Sequence, residues 1–158
     1  MAMQQIISDS DREMLRQRFE ETLDRDVAIQ FYSVSEARSL LTVPGEPDMP
    51  LSQLVHQLIT EFTELSAKLK STFHDFHGEG SAPAQELGIT RIPVIVPGDD
   101  PQGRVRFLGT PMGNEFATIL ASVEALSKED THLSSPVAEA TLKHINEPAD
   151  IKVFVTRT

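Results

Sequence analysis

Cysteine is absent from all 158 residues. That excludes disulfides, cysteine-ligated zinc, iron–sulfur clusters and any thiol chemistry carried by these residues. Basic residues are scarce: 14 Lys and Arg stand against 24 Asp and Glu, a net charge of −10. The acidic groups are spread along the chain, so no basic patch is offered to nucleic acid or to an anionic membrane surface, and neither is expected as a partner. No apolar run approaches the length of a membrane span. The opening residues, Met1 to Asp9, lack a basic n-region and a long apolar h-region. No signal peptide is read there, and the expected location is cytoplasmic. Nothing in the sequence asks for a cofactor or a metal.

What is present is ordinary for a globular chain: 39% apolar residues, in a length sufficient for one domain with its own core and some added structure. Ser10 with Glu13 three residues on fits a capping box opening a helix, whose apolar stripe is Met14, Leu15, Phe19 and Leu23. Val27 to Val34 reads as a strand, apolar almost throughout and therefore central. Pro44, Gly45, Pro47 and Pro50 mark a loop, with Pro50 placed at the first turn of the helix that follows. That helix has the clearest periodicity in the chain, through Leu51, Leu54, Val55, Leu58, Phe62, Leu65 and Leu69.

Lys70 to Phe76 is expected to form a second strand, and Pro83 to Leu87 a short helix stopped by Gly88. Val94–Pro97 and Arg104–Leu108, joined by a turn from Gly98 to Gly103, read as a β-hairpin, and Phe116, Ile119, Leu120 and Val123 give a closing helix. Beyond it, Thr131 to Pro136 is linker-like, Val137 to Ile145 can form a helix, and Ile151 to Val155 reads as a strand. The order is a helix, then β-α-β, a short helix, and β-β-α.

The most informative segment is Gly88-Ile89-Thr90-Arg91-Ile92-Pro93-Val94-Ile95-Val96-Pro97. A proline at the entrance of a buried strand removes a ladder donor. It makes sense where the Ile92–Pro93 bond is cis and the bend is wanted. The second segment is Arg106-Phe107-Leu108-Gly109-Thr110-Pro111-Met112-Gly113-Asn114-Glu115-Phe116-Ala117, in which glycines and a proline shape the turn into the last helix. On these two motifs and the element order, the chain resembles the tandem thioredoxin-fold protein disulfide oxidoreductases, also called glutaredoxin-like proteins. The resemblance covers roughly the whole chain, as a first unit plus the opening strand of a second.

The resemblance implies an α/β, thioredoxin-like fold (βαβ–ββα) with an extra N-terminal helix and a C-terminal linker helix plus strand. The expected divisions are an N-terminal helix over 1–25, a thioredoxin-like domain over 26–126, and over 127–158 a linker helix with the first strand of a second unit. It also implies a cis-proline loop that offers Ile92 and Pro93 to an extended peptide, and a family role as protein disulfide oxidoreductase in cell redox homeostasis. The chain departs from the family at the active site. The register of the long helix puts Met49 and Ser52 where the family's first Cys-x-x-Cys would be. That chemistry needs a thiolate and a resolving thiol, and neither a thioether nor a serine hydroxyl supplies one. No catalytic residue is therefore assigned.

Two functional readings follow. One is a non-catalytic thioredoxin-fold module that binds a peptide or partner, or acts as a scaffold. The other is the N-terminal fragment of a dithiol or selenol–thiol protein disulfide oxidoreductase whose active site would follow residue 158. Ile151, Val153 and Val155 give the last strand one β-branched side, and a homodimer through Ile151–Val155 is expected to cover it.

Other chemistry-bearing residues read more plainly. His74 and His77 would point to opposite faces of a strand, so no metal site is expected there. His56 is expected at the surface. Asp48, Ser52 and His56 lack a nucleophile elbow, so a capping role is preferred for Ser52. Asp99 and Asp100 read as a turn pair.

Overall fold

The computed structural model describes residues 5–35, 51–128 and 136–147. Helix α1 spans Asp9–Thr22, β1 Val27–Ser33, α2 Leu51–Thr63, β2 Leu69–Asp75 and α3 Ser81–Glu86. Then come β3 over Val94–Pro97, β4 over Phe107–Leu108, α4 over Asn114–Lys128 and α5 over Pro136–Leu142. The strands form one sheet in the order β2-β1-β3-β4. β1 is parallel to β2, with Phe31 opposite Phe73, and antiparallel to β3, with Tyr32 opposite Val94. β3 is antiparallel to β4, with Ile95 opposite Phe107. This is the thioredoxin-like βαβ–ββα arrangement, with α1 added before it and α5 after it.

The larger core lies on one face of the sheet. Val27, Ile29, Phe31 and Ile95 meet Val55, Leu58, Ile59 and Phe62 of α2 and Ile119, Leu120 and Val123 of α4. Phe62 is its centre, edge-on to Phe19 of α1 and to Phe116 of α4, each with ring centroids 5.4 Å away. The opposite face is covered by the short α3, where Ala84 and Ile89 close over Tyr32, Val94 and Val96. Burial on both faces explains why β1 and β3 are nearly continuous apolar runs.

Helix α1 is fixed at both ends. Arg18 forks onto Glu124 of α4 at 2.5 and 2.9 Å. The lead-in at Ile6 and Ile7 is held by the Glu61 carboxylate of α2.

Several local expectations are corrected. The N-cap of α1 is Ser8, whose Oγ accepts the Asp11 N–H, so Ser10 lies inside the helix. Two overlapping capping frames exist there, and anchoring of Ile6 and Ile7 selects the earlier one. Leu69 opens β2 opposite Val27 instead of extending α2, because a strand's first buried residue fell on the helix's four-residue step. The hairpin's second strand is only Phe107–Leu108. Arg104 is turned back to the Asp100 carboxylate through its N–H and its guanidinium, so it closes the turn instead of extending the ladder.

Candidate functional site

The site is assembled by topology at the C-terminal end of β1. Strand β1 runs to Ser33, and α2 must return antiparallel to it for β2 to lie parallel, so the N-terminal half of α2 is at this end. Pairing of Tyr32 with Val94 brings the start of β3, and with it Arg91, Ile92 and Pro93, to the same end. The Ile92–Pro93 peptide is cis. Pro93 is buried, Ile92 half-buried and Arg91 exposed. The Pro93 carbonyl accepts the Gly109 N–H at 2.9 Å, which brings the Gly109–Gly113 turn beside the loop. Gly109 and Gly113 have φ of 91° and 63°, a region that favours glycine, and this is the physical need behind the glycine pattern before α4.

Met49 and Asp48 lie outside the described residues, as does the strand expected at Ile151–Val155. Ser52 is half-buried in the first turn of the described α2. His56 is not a surface residue: it is half-buried, stacked 6.1 Å from Phe31 and edge-on 5.0 Å from Phe73. Its position in the sequence beside polar Gln57 hid this, since the aromatic partners lie on two different strands.

On the opposite face His74 stacks on Tyr32, with centroids 4.5 Å apart, and its Nε2 is buried without a hydrogen-bond partner among the described residues. Burial lowers the His74 pKa, against the pull of the Glu79 carboxylate. His77 is turned edge-on to Phe76 instead. Among the described residues no group of three or more His, Asp or Glu is placed to hold a metal ion. Asp100 accepts Gln102 N–H, Arg104 N–H and the Arg104 side chain. The Arg104 hydrogen bond, above all, lowers its pKa to about 2, so it is a turn closure and no acid–base group.

Two clefts flank the exposed β4 strand. One, of about 330 Å³, lies between Ile89–Arg91 and the side chains of Arg106 and Leu108. The other, of about 220 Å³, shares Arg106 and Leu108 and reaches Pro111 and Glu115. A larger apolar groove of about 450 Å³, lined by Met14, Leu15, Leu58, Met112 and Phe116, runs between α1 and α4. Nothing at the sheet end can act as a thiol nucleophile, because the chain has no cysteine. No helix among the described residues is long and apolar enough to cross a membrane.

Compared by sequence, the chain matches no protein-family model and no curated protein. By structure, it is similar to a protein disulfide oxidoreductase from Aeropyrum pernix, with a TM-score of 0.68 and 20% identity over 87% of this chain and 55% of the other. It is also similar to the NTD_N/C domain of the alkylhydroperoxide reductase AhpF from Enterococcus faecalis, at 0.64 and 21% over 86% of this chain and 60% of that one. A longer structure of the same reductase subunit gives 0.59 and 21% over 80% and 54%. The chain thus spans between about half and three-fifths of each of these structures. At such identities the likeness is one of fold, and the fold is thioredoxin-like.

Proposed function

We propose that this chain is a non-catalytic thioredoxin-fold module, similar to the N-terminal, glutaredoxin-like unit of a protein disulfide oxidoreductase, that binds an extended protein or peptide segment. The segment would lie along β4 and beside Ile92 and Pro93, in the cytosol. One observation carries this reading. The sheet end keeps an open edge strand with Leu108 60% exposed and clefts on either side, while every thiol is missing. An open edge offers main-chain partners to an extended segment. Insulin reduction by dithiothreitol should then run at the buffer rate when the chain is added, and an immobilised, alkylated unfolded protein should retain the wild-type chain but not Leu108→Asp. Reduction above background, or equal retention of the variant, sinks the proposal.

Coverage of only 55% of the Aeropyrum pernix enzyme favours a second reading, that these residues are one unit of a dithiol or selenol–thiol oxidoreductase whose active site follows residue 158. The coding sequence past codon 158 separates the two: an in-frame Cys-x-x-Cys unit supports the second. For self-association, the alternating pattern of Ile151–Val155 supports a homodimer through that segment. Light scattering should show a dimer that becomes a monomer when residues 148–158 are deleted, and a monomeric full chain ends the idea.

A further inference from the structure

Many of this chain's cations face a carboxylate: Arg12 faces Glu61, Arg16 Glu13, Arg18 Glu124, Lys70 Asp26 and Arg104 Asp100. Arg91 and Arg106 do not, among the described residues, and they line the same cleft. Arg106 donates to the carbonyls of Gly103 at 2.5 Å, of Gln102 at 3.2 Å and of Leu87. These contacts hold the guanidinium in place without neutralising it, because carbonyl oxygens carry no net charge. Arg91 stands exposed beside Ile92. Among the described residues no acidic side chain lines the cleft; Glu115 belongs to the adjoining one. The cleft opens beside β4, the edge strand, with Leu108 on its wall.

We propose that this cleft binds a carboxylate of the extended segment that pairs with β4, so that the module selects acidic peptide segments. The inference rests on the peptide-binding reading above and adds the substrate's chemical class. A guanidinium presents a planar fork of donors that matches a carboxylate. Arg106 uses its Nε and Nη2 hydrogens on those carbonyls, so its Nη1 end and the whole fork of the exposed Arg91 remain for a carboxylate. The chain's net charge of −10 disfavours acidic segments as a general matter. A local pair of unneutralised guanidiniums therefore defines one place where such a segment is attracted. The alternation of side chains along an edge-bound strand lets one residue in two face the cleft, while the apolar surface of Leu108 favours an aliphatic neighbour.

The test is fluorescence anisotropy with labelled, extended Val/Thr peptides carrying a central Glu, Gln or Lys and an amidated C-terminus. A further Gln peptide keeps its free C-terminal carboxylate, which separates a side-chain from a chain-terminal source. The Glu peptide should bind about threefold to tenfold more tightly than the Gln peptide, and the Lys peptide more weakly than either. Arg91→Gln should bring the ratio of Glu-peptide to Gln-peptide affinity close to one; as Arg91 is exposed, the fold is spared. Tighter binding by the free-terminus peptide alone supports the cleft and assigns it to chain ends. Equal binding of Glu and amidated Gln peptides together with no gain from the free terminus, or a Glu preference that survives Arg91→Gln, overturns the anion cleft and leaves the peptide-binding reading standing. Binding by none of the peptides overturns both.

Discussion

Glu61 is the charged group on which the packing of α1 most depends, and its removal has a calculable cost. It is 8% exposed. One oxygen accepts the Ile6 N–H at 3.1 Å and the Gln57 amide at 2.8 Å; the other accepts the Ile7 N–H at 3.0 Å and Arg12 at 3.3 Å. Burial alone would raise its pKa. The Ile7 N–H, the Gln57 amide, the Ile6 N–H and the Arg12 charge together outweigh burial and hold the carboxyl below its ordinary value. Glu61→Gln keeps the volume but turns an NH₂ toward groups of which Ile6 N–H, Ile7 N–H and Arg12 can only donate, and Gln57 alone can accept by flipping its amide. Hydrogen bonds to a charged group contribute about 1.5–3 kcal/mol each, partly recovered here because the amide oxygen still accepts, so a loss of about 2–3 kcal/mol is expected. For a chain of this size that lowers Tm by roughly 5–10 °C. Because the folded pKa is depressed, this stability is present above the unfolded value near 4.3 and is lost as pH falls through the folded one. Urea denaturation followed by circular dichroism at pH 7 and pH 3.5 measures both effects. The variant should be weaker at pH 7 and should lose less on acidification than the wild type. A variant within 0.5 kcal/mol of wild type at pH 7, or one with an unchanged acid slope, would mean that the Glu61 charge does not hold α1 in place.

Three further outcomes follow. Phe62→Ala removes the ring between Phe19 and Phe116 and should cost about 3–5 kcal/mol in urea denaturation. Gly80→Ala puts a Cβ 2.8 Å from the Asp75 carbonyl oxygen and from the His74 Cβ, and alanine is also a poorer N-cap of α3 than glycine, so it should lower Tm. His74 is held neutral by burial, so its contribution is complete above the unfolded pKa near 6.5 and declines as pH falls below it. His74→Phe should flatten the stability profile between pH 7.5 and pH 5.5, and an unchanged profile would place the titration elsewhere.

Much of the fold was legible because burial on both sides writes itself into composition. Val27–Ser33 and Val94–Pro97 are apolar runs of strand length, and Gly88, at φ 63°, stops α3 where a glycine signals it should. What escaped the sequence depends on distant partners. The role of Glu61 has no signal in the sequence, because its partners at Ile6 and Ile7 lie 55 and 54 residues away. His56 looked exposed because the rings that cover it come from β1 and β2. The shortness of β4 was hidden because Arg104–Leu108 alternates like a strand, while Arg104 and Arg106 are engaged by Asp100 and by backbone carbonyls. For the site, Ile92 and Pro93 were legible as a motif. The pairing of Arg91 with Arg106 across one cleft was not, although each is the arginine nearest the start of its hairpin strand.

Binding of an extended segment at the sheet end marked by the Arg91–Val94 loop and β4 can be observed residue by residue. The direct measurement is amide chemical-shift mapping of the ¹⁵N-labelled chain titrated with the Glu-containing Val/Thr peptide. Shifts should be confined to Arg91, Ile92, Val94 and the residues from Phe107 to Gly113 other than Pro111, with saturation at a single affinity. Shifts centred instead on Met14, Leu15 and Phe116 in the α1–α4 groove, or no saturable shifts at all, would contradict binding at this end.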